Sequence, residues 1–180
     1  MRARELLLGD ERYSICALNK DPELARQHRG FFLCASLCHD VKNSEGDENR
    51  MLLGDPMEVA LIEMARSGLA RLPTCQRLDE ISFDSDRMRQ SVVCAMPEGP
   101  VLYCKGAPES VLKLCNSMLV GEQLRSLSAM TRARTTMYSS MRTHESVRRY
   151  GCTISIATIF TRRQLCRECD FAPTILHEQR

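Results

Sequence analysis

Residues 81–112 read Ile81-Ser-Phe-Asp-Ser-Asp-Arg-Met-Arg-Gln-Ser-Val-Val-Cys-Ala-Met-Pro-Glu-Gly-Pro-Val-Leu-Tyr-Cys-Lys-Gly-Ala-Pro-Glu-Ser-Val-Leu112. Within this segment, residues 91–95 are apolar and rich in β-branched side chains, which is typical of the centre of a strand. Prolines and a glycine at positions 97–100 interrupt the apolar run, and residues 101–104 resume it. The pattern predicts two antiparallel strands joined by a four-residue connection, and a further strand before the charged corner that follows Phe83.

The end of this segment combines a cation with the start of a helix. We expect Lys105 and Gly106 to end the third strand, because glycine tolerates the positive φ of a sharp turn. Pro108 and Glu109 suit the first turn of a helix, whose free backbone donors favour an anion. Phe83 is predicted to lie one short corner away, and a ring near a lysine suits a nucleotide because base stacking is worth roughly 1–3 kcal/mol. The alternatives are a core position for Phe83 and an ordinary turn lysine at 105.

Upstream of this segment, the sequence predicts one hairpin and two helices. Residues 5–15 alternate around a Gly-Asp turn, which indicates a hairpin. Asp21-Pro22-Glu23 is a helix start, and apolar residues at helical spacing continue to about Cys38. Asp55-Pro56-Met57-Glu58 starts a second helix that ends near Gly68. Hairpins combined with helices indicate an antiparallel sheet with helices packed on it, hence the α+β class.

Glu58 has two competing interpretations. It falls at the third position of the predicted helix, where the glutamate of a capping box binds back to the first turn at a gain of about 1 kcal/mol. A residue in the first turn can also face a binding pocket, so both roles stay open.

The composition describes a globular chain. Of the 180 residues, 43% are hydrophobic and 27% are charged, which is typical of a folded domain rather than a disordered one. No apolar run approaches 18 residues, and the three leucines after the first residues are too short for a secretory signal, so we expect a cytoplasmic location. Ten cysteines without a secretion signal indicate reduced thiols.

The last third of the chain differs in character. Residues 1–120 hold 15 Lys and Arg against 18 Asp and Glu, whereas residues 121–180 hold 10 Arg, no Lys and 5 acids. A basic tail can bind nucleic acid, but this one lacks the interleaved aromatic residues of a single-strand binder. Cys166 and Cys169 form a single C-x-x-C pair near His177, which is half of a zinc site. We therefore expect neither a metal site nor a nucleic-acid partner.

Three ordered motifs resemble the nucleotide-binding domain of P-type cation-transporting ATPases of the calcium-pump-like class. The motifs are Gly54-Asp-Pro-Met-Glu-Val-Ala-Leu61, Phe83-Asp-Ser-Asp-Arg87 and Lys105-Gly-Ala-Pro-Glu109, and the similarity covers about residues 5–118. The resemblance implies a twisted antiparallel sheet flanked by helices. It also implies that Phe83 stacks on adenine and that Glu58 contributes to the adenine pocket.

The resemblance further implies that Lys105, followed by Gly106, lines the ATP pocket. Many relatives carry basic residues near the phosphates at the places where this chain has Ser85 and Met88. Arg87 and Arg89 lie nearby and are our candidates for approaching the phosphates. We expect weak binding that adenine contacts dominate.

In the family, a pump forms an aspartyl-phosphate at an Asp-Lys-Thr-Gly-Thr motif, and this string does not occur in the sequence. Covalent catalysis needs that carboxylate, so we assign no catalytic residue and expect no ATP hydrolysis by this mechanism from the chain alone. In an intact pump, the domain would bind Mg-ATP on the cytosolic face of a membrane. Its partners would be the phosphorylation and membrane domains.

The similarity ends before the tail. The family's Gly-Leu-Arg-(Val/Thr)-Leu strand signature has no match after about residue 124, where arginine, serine and threonine dominate. We predict a nucleotide-binding domain over residues 1–120, incomplete at its C-terminal end, and a non-homologous or frameshifted tail over residues 121–180. The alternative function is that of a non-catalytic remnant or interaction protein without a working nucleotide site, whose open sheet edge could pair with other chains.

Overall fold

The computed structural model of the chain describes residues 3, 5–8, 11–18, 21–43, 52–97, 99–120, 123–130, 132–133 and 155–160. Its elements follow in the order β1 (Glu5–Leu8), β2 (Glu11–Ser14), α1 (Ile15–Leu18), α2 (Pro22–Gln27), α3 (Arg29–Leu37), β3 (Lys42–Asn43), β4 (Leu52–Leu53), α4 (Pro56–Gly68), β5 (Gln76–Asp84), β6 (Arg89–Met96), β7 (Gly99–Gly106), α5 (Pro108–Leu114), β8 (Ser117–Val120), β9 (Gln123–Ser126) and β10 (Ser155–Phe160). None of the described helices combines the length and the apolar character needed to cross a membrane.

The main sheet has four antiparallel strands in the order β10-β7-β6-β5. Strands β5, β6 and β7 follow one another as hairpins and α5 comes next, so the predicted strand, corner, hairpin and helix are confirmed. Together with the helices packed against it, this antiparallel sheet confirms the α+β class.

The β6–β7 connection is shorter than predicted. Met96 pairs with Gly99, so only residues 97 and 98 connect the strands instead of four residues. Gly99 has φ 120°, a backbone conformation that residues with a side chain rarely adopt. The expectation of positive φ at Gly106 is wrong, because among the described glycines only Gly99 has it. Gly106 instead ends β7 in close contact with the start of β6.

Strand β10 lies beyond the predicted domain and joins the same sheet. Its backbone pairs with the outer side of β7, from Ser155 opposite Gly106 to Phe160 opposite Val101. The expected open edge is therefore occupied along β7, and the backbone donors and acceptors there have strand partners.

The predicted helix starts are confirmed, but the first helix is divided. Asp21 Oδ1 accepts hydrogen bonds from the backbone N–H groups of Glu23 and Leu24, as a cap does. The helix does not continue to Cys38, because His28 has φ −106° and ψ 24° and separates α2 from α3. Gly30, the second residue of α3, lies close to this break, and glycine is a weak helix former.

The sheet has two covered faces. One face contributes Val92 and Tyr103 to the main core, where Phe32 of α3 and Ala65 of α4 are also fully buried. On the opposite face, Cys104 packs against Val111 of α5. Side chains on β6 and β7 therefore point alternately to the α3–α4 face and to the α5 face.

Contacts cross the boundary that we predict at residue 120. Strand β9 pairs with β8, and buried Leu127 donates its backbone N–H to Asn116 O at 2.9 Å. The Arg132 guanidinium donates to the carbonyl oxygens of Leu112 and Cys115 at the end of α5. The division at residue 120 stays a prediction, and Cys166, Cys169 and His177 lie outside the described residues.

Candidate functional site

A buried ion pair joins two of the predicted site residues. Lys105 Nζ donates to Glu58 Oε1 at 2.5 Å, and the exposed fractions of the two side chains are 7% and 12%. Lys105 is fixed by its position near the end of β7, which pairs with a strand on each side. Glu58 is fixed by the first turn of α4, where Asp55 Oδ1 accepts the Met57 N–H at 2.7 Å and Pro56 starts the helix.

The second oxygen of Glu58 is bonded to a loop. Glu58 Oε2 accepts the backbone N–H of Asp40 at 3.1 Å, three residues after the end of α3. Both carboxylate oxygens thus bind residues that are distant in sequence, 47 positions for Lys105 and 18 for Asp40. The capping-box interpretation of Glu58 is wrong, because its two carboxylate oxygens accept from Lys105 Nζ and from the Asp40 N–H, and not from the backbone N–H of Asp55.

Asp40 and Gln90 complete a closed polar ring that the sequence analysis missed. Gln90 Nε2 donates to Asp40 Oδ1 at 2.8 Å, and Gln90 is only 2% exposed. Hydrogen bonds link Lys105 to Glu58, Glu58 to Asp40, and Asp40 to Gln90. The pairing of Gln90 on β6 with Lys105 on β7 closes the ring. The available signal was a glutamine directly before the apolar run of β6, where an inward-facing polar side chain needs a partner.

Phe83 lies at the same end of the sheet and is open to solvent. Its exposed fraction is 63%, the second highest among the large hydrophobic residues in the described part of the chain. It sits in the irregular pairing of β5 with β6 between Ile81 and Asp84, next to Gln90. Two strand spacings separate β5 from β7, so Phe83 and Lys105 lie about 10 Å apart across the sheet. The core alternative for Phe83 is excluded by its exposure.

The structure does not bring Arg89 to the same face as Lys105. Arg89 pairs with Gly106, one residue after Lys105, so its side chain points to the α5 face. There Arg89 Nη1 donates to Ser110 Oγ at 3.1 Å and to Arg87 O at 3.2 Å. Arg87 belongs to the corner between β5 and β6, and Met88 in the same corner is exposed with φ 51°.

Within this polar ring, the Glu58 carboxylate can accept a further hydrogen bond from a ligand. An ionised carboxylate only accepts hydrogen bonds, and each oxygen has more than one acceptor direction. Glu58 uses one direction of each oxygen for Lys105 and Asp40, which fixes the carboxylate in place. A ligand that offers an amino group beside an exposed aromatic ring would match this arrangement.

His39 borders the ring and should make stability depend on pH. Burial lowers the pKa of His39, and the nearby Arg77 guanidinium lowers it further, while Glu58 opposes the change. The unfolded chain then binds the proton at higher pH than the folded chain, so stability should fall as pH drops below about 6.5. Between about pH 7.5 and 5.5, we expect the free energy of unfolding to fall less in His39→Asn than in the wild type. The asparagine amide oxygen can still accept the Val41 N–H. Urea unfolding at both pH values measures this, and equal losses in both proteins would contradict it.

Comparisons with known proteins agree on one family. The model of the P-type ATPase cytoplasmic domain N matches residues 28–150. A probable cation-transporting P-type ATPase of Mycoplasma genitalium is 37% identical over 82 residues, 46% of this chain and 9% of that protein. A cation-transporting ATPase of Synechocystis is 32% identical over 94 residues, covering 50% of this chain and 10% of that protein.

Relatives with another cargo in their name match as well. A human phospholipid-transporting ATPase IC is 33% identical over 118 residues, covering 55% of this chain and 9% of that protein. The chain spans about a tenth of the length of these curated relatives. Since the family model matches more than half of the chain, the chain belongs to the P-type ATPase cytoplasmic domain N family.

Proposed function

We propose that this chain binds adenine nucleotides, with ATP as its ligand, as the nucleotide-binding domain of a cation-transporting P-type ATPase. The observation that carries the proposal is the buried Glu58–Lys105 ion pair at the same end of the sheet as the solvent-exposed ring of Phe83. The ring offers a stacking surface for a base, and the fixed carboxylate offers an acceptor for the amino group at the edge of adenine.

The roles follow from the chemistry of each side chain. Phe83 stacks on the base, Glu58 accepts a hydrogen bond from its amino group, and Lys105 holds Glu58 and lines the pocket. Gly106 keeps the backbone beside Lys105 close to the corner of the sheet. Guanine presents an oxygen at the position of the adenine amino group, so a carboxylate there favours adenine.

The proposed setting is that of an intact pump. There the domain would work on the cytosolic side of a membrane, bind Mg-ATP and present the γ-phosphate to a phosphorylation domain. Pump activity, and the membrane domain as a partner, belong to this proposal. They draw support from the family and from the names of the cation-transporting relatives.

Phe83→Ala should weaken ATP binding without unfolding the chain. Stacking on an aromatic ring is worth roughly 1–3 kcal/mol by truncation, so we expect a Kd that is roughly 5- to 150-fold higher. Titration of the ¹⁵N-labelled chain with ATP, followed by amide NMR shifts, measures the change. The matched control is Met130→Ala, which removes another exposed apolar side chain of the described surface.

The outcomes separate the proposal from its alternative. Saturable shifts near residues 58, 83 and 105 that survive in Met130→Ala and weaken in Phe83→Ala support an adenine site. A folded wild-type chain that shows no shift at high ATP would instead support the remnant without a working nucleotide site.

A further inference from the structure

The short segment of residues 39–41, which we call the His39 turn, connects α3 to the carboxylate of Glu58. Arg77 Nη2 donates to His39 O at 2.5 Å, which holds the start of the turn against β5. The next residue, Asp40, donates its backbone N–H to Glu58 Oε2 at 3.1 Å. The position of the His39 turn therefore fixes one of the two oxygens of this carboxylate.

The imidazole of His39 holds the end of the same turn. Its Nδ1 atom accepts the backbone N–H of Val41 at 3.1 Å. A ring nitrogen that accepts a hydrogen bond carries no proton, so this arrangement requires neutral His39 with its proton on Nε2. Protonated histidine is a donor at both nitrogens and cannot keep the bond. Protonation of His39 would therefore set two donors against each other within the turn.

Charged side chains from several elements act on His39. They are Arg77 on β5, which is paired with Glu80, Glu58 on α4, Lys105 on β7, and Asp40 in the His39 turn itself. Burial has the largest influence and lowers the pKa of His39, and Arg77 lowers it further, while Glu58 opposes both. Neutral His39 is thus the form present at neutral pH, and the proton binds only below the ordinary value of about 6.5.

We propose that His39 and Asp40 are positioning residues for Glu58, and that the site holds the amino group of adenine best while His39 is neutral. This role rests on the proposed function, in which Glu58 accepts a hydrogen bond from that amino group. The Asp40 N–H and Lys105 Nζ each fix one carboxylate oxygen, so losing the first lets the group rotate about the second. Hydrogen bonds weaken steeply when they are misaligned, so a rotating carboxylate binds the amino group less tightly.

The affinity for adenine should therefore depend on pH. It should be constant while His39 is neutral and fall as pH drops through the pKa of His39 in the folded chain, because protonation breaks the bond to Val41 and displaces the turn. Adenine binding should in return favour neutral His39 and lower its pKa further, since the coupling is reciprocal. A hydrogen bond that loses its alignment predicts a Kd about threefold or more higher for the protonated form.

The experiment measures the Kd of the 180-residue chain for adenosine at about pH 7.5 and at about one pH unit below the midpoint of His39. Adenosine carries the amino group but lacks the phosphates of ATP, which titrate in the same pH range. We expect the Kd to rise about threefold or more in the wild type. In His39→Asn, whose amide does not titrate, the two Kd values should be equal.

His28→Asn is the matched control for this change. His28 precedes α3 and His39 follows it, so the control removes a histidine at the opposite end of the same helix. The ratio of its two Kd values should equal the wild-type ratio. Amide NMR spectra at both pH values show whether each protein is folded where its Kd is measured.

A second readout needs no nucleotide. A pH titration of the free chain follows the imidazole of His39, the ¹³C signal of the Glu58 carboxylate and the N–H signal of Asp40. We expect the last two signals to change with the midpoint of His39 in the wild type and to lose this midpoint in His39→Asn. The carboxylate of Glu23, which pairs with Arg26 at the surface, is the internal reference and should not follow His39.

The outcomes separate the role of His39 from the proposed function. If the Glu58 signal follows His39 but adenosine binds at neither pH, the proposed function fails while the positioning of Glu58 by the His39 turn stands. If adenosine binds to the wild type with the same Kd at both pH values, the positioning role is overturned and the proposed function stands. A folded His39→Asn protein that keeps the wild-type ratio of Kd values also overturns it, because another group then causes the pH dependence.

Discussion

Replacing Lys105 with methionine should destabilise the fold by about 3–5 kcal/mol, because it leaves the carboxylate of Glu58 without its cation in a buried position. The two side chains are nearly inaccessible to water, and the Nζ–Oε1 distance is 2.5 Å. Methionine matches the length of the lysine stem, so lost packing contributes little and the unpaired charge accounts for the cost.

A double-mutant cycle tests this explanation. In Glu58→Gln/Lys105→Met no charge is buried, and the glutamine oxygen can still accept the Asp40 N–H, so we expect the double variant to be more stable than Lys105→Met alone. Urea unfolding at neutral pH gives the four free energies of unfolding. The control is Glu23→Gln, which breaks the solvent-exposed pair with Arg26 and should cost far less than Lys105→Met, because water screens exposed ion pairs. A Lys105→Met cost as small as this control would contradict a buried ion pair.

The same result decides how binding data should be interpreted. Lys105 and Glu58 are both proposed nucleotide contacts and structural partners, so a loss of ATP binding in either variant mixes two causes. Phe83 is exposed and forms part of no buried pair, which makes Phe83→Ala the direct test of the adenine site. Comparing the stability and the ATP affinity of each variant separates the two roles.

Local signals explain the part of the fold that the sequence predicts. The helix starts at Asp21 and Asp55 carry their own capping side chains, so each can be recognised within a few residues. The β6–β7 hairpin can be recognised in the same way, because its two apolar runs are separated by a short connection that starts at Pro97. The motif resemblance adds the choice of Phe83 and Lys105 as site residues.

Long-range contacts explain the part that was missed. From the sequence, Glu58 could equally cap its own helix or bind a distant residue. Only the fold shows that its partner is Lys105, 47 residues away. Gln90 and Asp40 meet across 50 residues, and β10 pairs with a strand about 50 residues earlier. Pairing at such distances depends on how the whole sheet is assembled, which no window of the sequence records.

Gly106 does not have the positive φ that we expected from the sequence. A side chain at this position would clash with the neighbouring strand, and this clash predicts the second large effect. A Cβ atom at this position would overlap the carbonyl oxygen of Met88 and lie 2.7 Å from the Cα atom of Arg89. Both are backbone atoms, so the clash cannot be relieved by turning a side chain. We expect Gly106→Ala to destabilise the fold by about 3 kcal/mol, the upper part of the usual range for an overpacked site.

The measurement for Gly106→Ala combines stability with a local probe. The N–H of Ala107 donates to Met88 O at 2.9 Å, so moving the corner away from a new methyl group should break this bond and speed hydrogen exchange at Ala107. Ser82→Ala, an exposed change near the same end of the sheet, is the control and should stay within about 0.5 kcal/mol of wild type. A fully stable Gly106→Ala protein with a protected Ala107 amide would show that β6 and β7 can separate at low cost. The glycine would then have no steric role beside Lys105. The expected result instead assigns Gly106 the task of keeping the corner that carries Arg87 close to the end of the strand that carries Lys105.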